Sequence, residues 1–121
     1  MTTSAREQAT ALAHINALKM TQKAVLTALN AQAHTARQIG DDARARSLIQ
    51  MTITLSRKNL VIHRAKQQAL RAQDISAINS KLSRIVAQSD QILKDLNGVV
   101  DALAKAAQLI DLLRRTIDVL T

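Results

Sequence analysis

Residues 96–120 read LNGVVDALAKAAQLIDLLRRTIDVL, helical in character on both sides of an Asn97-Gly98 pair. Whether a helix passes through that pair decides the architecture. Asn-Gly is the strongest turn signal in the chain. Against it stands an apolar seam that runs from Ile75 through Leu82, Ser89, Leu96, Leu103, Ile110 and Ile117 to Leu120 in alternate steps of 3 and 4, broken in chemistry only at Ser89. A loop at Gly98 would keep that phase only by coincidence, and one Gly inside a helix costs only about 1 kcal/mol relative to Ala. The reading therefore favours one helix over 75–120, roughly 69 Å long at about 1.5 Å per residue. Its neighbours reach only about 50 Å each, so one end overhangs. A break at Asn97-Gly98 gives instead a fourth helix and a compact four-helix bundle.

Upstream, Ser4 and Glu7 have the spacing of a capping box, which starts helix 1 near residue 5. A thin seam follows through Ala11, Ile15, Leu18, Val25, Leu29 and Ile39, with Gln22 and Gln32 standing in it. Gly40 can close this helix in the left-handed conformation, and Asp41 and Asp42 supply a cap and negative charge for the next. Helix 2 spans about 42–72. The strand-like QMTITL inside it keeps the helical pattern of Leu48, Met51, Leu55 and Ile62, so it reads as helix. Three successive steps of 3 at residues 69, 72, 75 and 78, with Asp74 available as an N-cap, place a hairpin near 72–76.

The expected fold is thus all-α: one domain over residues 1–121, an antiparallel bundle of three long helices with coiled-coil-like packing, about 5–39, 42–72 and 75–120. Composition agrees. No Phe, Tyr, Trp, Cys or Pro occurs among 121 residues, and Gly only twice, so the core is aliphatic and nearly unpunctuated. Hydrophobic residues at 47% and charged residues at 21% are globular proportions. Arg6 and Glu7 interrupt any signal-peptide core, which points to a cytoplasmic protein or one exported without a cleaved leader. The composition resembles that of bacterial secretion-apparatus substrates and small helical adaptors, a likeness that carries no motif and assigns no residue.

Signatures of catalysis are missing from the sequence. There is no Gly-rich phosphate loop, no nucleophile elbow, no Cys and a single Glu, Glu7. His14, His34 and His63 lack the spacing that puts two imidazoles on one helix face. The reading is a non-enzyme without metal or cofactor. Charge says more. The net +8 is concentrated in residues 41–73, where seven basic residues face only Asp41 and Asp42. Arg46, Arg57, Arg64 and Arg71 fall within a narrow arc at about 100° per residue, an arginine stripe that faces anions. Ile49, Ile53 and Leu60 interleave with it, an apolar strip rimmed by Arg.

At the C-terminal end Leu109, Ile110, Leu112, Leu113, Ile117 and Leu120, with Val119, cover an arc of about 180°, against the roughly 100° that a rim helix needs. Something should cover that face. The expected function is a helical protein-protein interaction module, adaptor, chaperone-like or secretion-associated, docking another protein or its own copy through the C-terminal helix and the Arg-rimmed face of helix 2. A basic nucleic-acid accessory protein is the alternative, although aromatic stacking platforms are absent. A small membrane-active helical protein comes third, weakened by the missing Trp and Tyr anchors.

Overall fold

Gly40 is the first residue able to leave a right-handed helix at little cost, and it does so. A computed structural model describes residues 5–98 and 101–121. Helix α1, Ala5–Gln38, ends where Gly40 takes φ 79°. The Gly40 N–H then donates to the Arg37 carbonyl at 3.1 Å and the Asp41 N–H to the Ala36 carbonyl at 2.8 Å, the two bonds of a Schellman closure. Asp41 immediately caps α2, Asp42–Arg57, accepting from the Arg44 N–H at 3.2 Å. One residue thus ends a helix and begins the next. The expected Ser4 cap lies outside the described residues; Glu7 accepts a hydrogen bond from the Ser76 hydroxyl at 3.0 Å.

Helix 2 was expected unbroken over 42–72; it is two segments. After α2 the chain passes through Lys58 and resumes as α3, Asn59–Arg71. The cause lies 33 residues away. Gln22, buried on α1, donates its side-chain amide to the Leu55 carbonyl at 2.8 Å, and the Lys58 N–H reaches the same carbonyl at 3.1 Å. A side chain inserted into the backbone ladder breaks a helix locally. The QMTITL stretch is helical, as expected, within α2.

The hairpin near 72–76 is present: Ala72 is extended and Asp74 caps α4, Ile75–Asp95, by accepting from the Ala77 N–H at 3.3 Å. The next expectation fails. Instead of one helix over 75–120, the chain leaves α4 through a tight turn, with Asn97 and Gly98 N–H groups bonding to Lys94 and Asp95 carbonyls. Asp101 then caps α5, Ala102–Leu120, from its own side chain at 3.0 Å to the Leu103 N–H. Gln32 of α1 accepts from the Ala102 N–H at 3.1 Å, so two of the four unpartnered donors of that helix start are satisfied. No end overhangs.

Four helical arms result, the second bent at Lys58, and they alternate in direction. α1 and α4 run the same way, since Glu7 meets Ser76 and Thr21 meets Ser89 at nearly constant sequence offset. α1 touches every other helix, as does α5, while the α2–α3 arm and α4 take opposite corners. One aliphatic core joins them, including Ile15, Leu18 and Leu29 of α1, Leu48 and Leu55 of α2, Leu82 of α4, and Leu109 and Leu113 of α5. Each such side chain contributes about 1.5–3 kcal/mol on burial, which is how a core without aromatic rings holds. The seam polar residues are tie points: Gln22 and Gln32 bond as above, and the Ser89 and Thr21 hydroxyls meet in the core.

Candidate functional site: an arginine-rimmed groove between α3 and α5

Position on the bundle sorts the apolar residues expected to meet a partner. Leu109, Leu112 and Leu113 are buried in the chain's own core, and Ile110, Ile117 and Leu120 are half-buried against it. This corrects the expectation of an open C-terminal face. Its width has an internal cause: α5 contacts α1, α3 and α4 together, and a helix with several neighbours needs a wide apolar arc. On the second arm Ile49 is half-buried, whereas Ile53 is 49% and Leu60 77% exposed. These two are the uncovered ones.

Arg46 and Arg57 of α2 and Arg64 and Arg71 of α3 are all exposed. No ion pair engages any of the four among the described residues. The basic groups of α5, and Arg44 of α2, are matched. Arg44 pairs with Asp101 at 3.4 Å, Lys105 with Asp95 at 2.7 Å, and Arg114 with Asp111 at 2.7 Å and Asp118 at 3.4 Å, while Arg115 reaches Asp111 at 3.0 Å. The Arg114 hydrogen bond holds the Asp111 carboxyl below its ordinary range, with Arg115 adding to it, and Asp111 in turn raises Arg114. Positive charge is thus neutralised on α5, whereas the four stripe arginines stay unpaired, as do the basic groups of α1 and α4 among the described residues.

The open side borders a concavity. Lys58, Val61 and Arg64 form one wall, and Ile110, Leu113, Arg114, Ile117 and Asp118 the other, around a volume of about 270 Å³. The Lys58 break and the fold-back of α5 set these walls side by side. Arg64 belongs to both stripe and wall, so the stripe meets the groove at that residue. Leu60 stands one turn before Arg64 on the same helix, and Ile53 one turn before Arg57. Two smaller hollows exist, about 200 Å³ between α4 and α5 beside Gln88 and Arg115, and about 190 Å³ beside Gln32 and Ile39. Neither borders the unpaired arginines.

Reading the residues alone found the stripe with Ile53 and Leu60, but missed Lys58, Val61, Arg114 and Asp118. Only the turn after α4 brings those together, and its sole local signal was Asn97-Gly98. His34 and His63 are exposed; His14 is half-buried, and burial pushes its imidazole below the ordinary value. No group of three or more His, Asp or Glu is placed to hold a metal ion, and no helix is long and apolar enough to cross a membrane, among the described residues. No family model, curated protein or solved structure matches the chain.

Proposed function

We propose that this chain is a non-enzymatic helical interaction module that docks another protein through the Arg-rimmed face of α2 and α3. One observation carries the reading. Unpaired Arg46 and Arg57 are exposed on α2 with Ile53, and unpaired Arg64 and Arg71 on α3 with Leu60, while the cations of α5 are tied to aspartates of α4 and α5. Water-exposed Leu at this level beside open charge has the anatomy of a contact with an apolar centre and a polar rim. Exposed arginines contribute little to stability, so the fold does not need them there.

The test replaces Leu60 with a photo-crosslinking residue in the cell of origin, with Ser83, exposed on α4, as the control position. A defined protein adduct is expected at 60 and not at 83. Arg57→Gln with Arg64→Gln should reduce it several-fold at low salt and less at high salt, because screening removes the same attraction. Equal adducts at both positions, or an adduct indifferent to the arginines across a salt series, would overturn the reading.

The open stripe also favours a second reading, phosphate binding by a nucleic-acid accessory protein. Four arginines neutralising four phosphates give a slope of log K against log salt of about −3.6 on duplex DNA. A slope near zero on a duplex excludes it.

A further inference from the structure

Resting on the interaction reading above, we propose that the groove between α3 and α5 seats an acidic amphipathic helix supplied by a different protein. The floor and walls are apolar where Val61, Ile110, Leu113 and Ile117 meet. Cations stand on both sides, but they are not equivalent. Arg114 on the α5 wall is held by Asp111 and Asp118, whereas Lys58 and Arg64 on the α3 wall have no acidic partner among the described residues. The free charge is one-sided. An occupant therefore needs apolar side chains pointing down and carboxylates along the flank that faces α3.

Size narrows it further. Small-molecule sites enclose about 300–1,000 Å³ and bury most of the ligand. An open groove of about 270 Å³ takes anchor side chains instead. Ile110 and Ile117 lie two turns apart on α5, roughly 10 Å, which matches two aliphatic anchors two turns apart on a docked helix. A second copy of this chain fits poorly, because the chain carries +8 and Asp95, Asp101, Asp111 and Asp118 are already in ion pairs. A phosphate backbone has no use for the apolar floor, and a bilayer surface meets convex faces rather than a concave one.

The experiment follows methyl resonances of Val61, Ile110 and Ile117 in the full chain while a synthetic helical peptide is added, two Leu seven residues apart with Glu flanking one side. Saturable shifts at these methyls are expected. Arg64→Glu, an exposed position, should weaken binding at least about tenfold at low salt, and a peptide with Lys in place of Glu should regain it. Leu60→Gln, next in the chain to the wall residue Val61, should weaken binding with the fold unchanged. The occupant is wrong if the methyls stay silent, if a peptide with Ser in place of Leu binds as well, or if duplex DNA or phosphatidylserine vesicles shift the same methyls more tightly. A defined cross-link at position 60 alongside silent methyls overturns this occupant and leaves the interaction face; loss of both removes the general reading.

Discussion

Gln22 is a buried amide in an aliphatic core, and its worth depends on what the Leu55 carbonyl does without it. That carbonyl keeps the Lys58 N–H, so Gln22→Leu orphans no group. The loss should be about 1 kcal/mol, the net value of one internal hydrogen bond. With nothing inserted, α2 and α3 should merge, and the Asn59 amide should exchange more slowly with solvent; an unchanged rate there would mean that Gln22 does not hold the break open. Gln22→Glu is the harsher change, because it faces a carbonyl with a carboxylate and should cost several kcal/mol at neutral pH. Its folded-state pKa is raised, since the protonated acid can donate to Leu55. The lost stability should return as pH falls through that raised value, which a melting series against pH would reveal. Thr21 and Ser89 are milder: Thr21 also bonds the Ala17 carbonyl at 3.2 Å, so Ser89→Ala leaves it with a partner.

Among the turns, the two glycines predict opposite behaviour. At Gly40, φ is 79° and nothing lies within 4 Å of an added Cβ, so Gly40→Ala should lose about 1–2 kcal/mol through backbone strain alone. Gly98 does not have positive φ, and its added Cβ meets only the Asp95 carbonyl at an ordinary 3.6 Å. Gly98→Ala should be neutral or stabilising by up to about 1 kcal/mol, through the unfolded chain. Denaturant midpoints of the pair check both. Leu113→Asp places a charge in the core and should abolish cooperative unfolding and most helical dichroism; retained helicity would contradict the burial of α5. Helical class, the Gly40 closure and the Asp74 hairpin were legible, because each is written in residues adjacent to the turn. The Lys58 break was not, since its cause sits on another helix. At Gly98 a local signal was present and outweighed. The seam through Leu103, Ala106, Ile110, Leu113 and Ile117 keeps step with α4, yet of these α5 buries only Ala106 and Leu113 fully and adds Ala102 and Leu109, so its buried face is only partly that seam. The phase was a coincidence, and the groove that depends on the fold-back stayed invisible with it.

Taken as a whole, the molecule should weaken on acidification in two stages. His14 is held neutral by burial, so its contribution is complete above the ordinary histidine value and is lost as pH falls through that value towards the lower folded one. His14→Gln should remove this stage from a plot of Tm against pH. Asp95 is depressed by the Lys105 hydrogen bond first and by Gln91 second, and Asp111 by Arg114. Their contribution is present above the ordinary carboxylate value and disappears at more acid pH as the folded pKa is crossed, so Lys105→Met should flatten the second stage. The hub position of α1 has a kinetic consequence as well. It contacts α4 and α5 across separations of about 70 residues, as its bonds to Ser89 and Ala102 record. Helical bundles built on neighbouring hairpins fold quickly because their contacts are local; distant closure slows the search. During synthesis α1 emerges before α5, so part of its apolar face stays open to any chaperone until α5 docks.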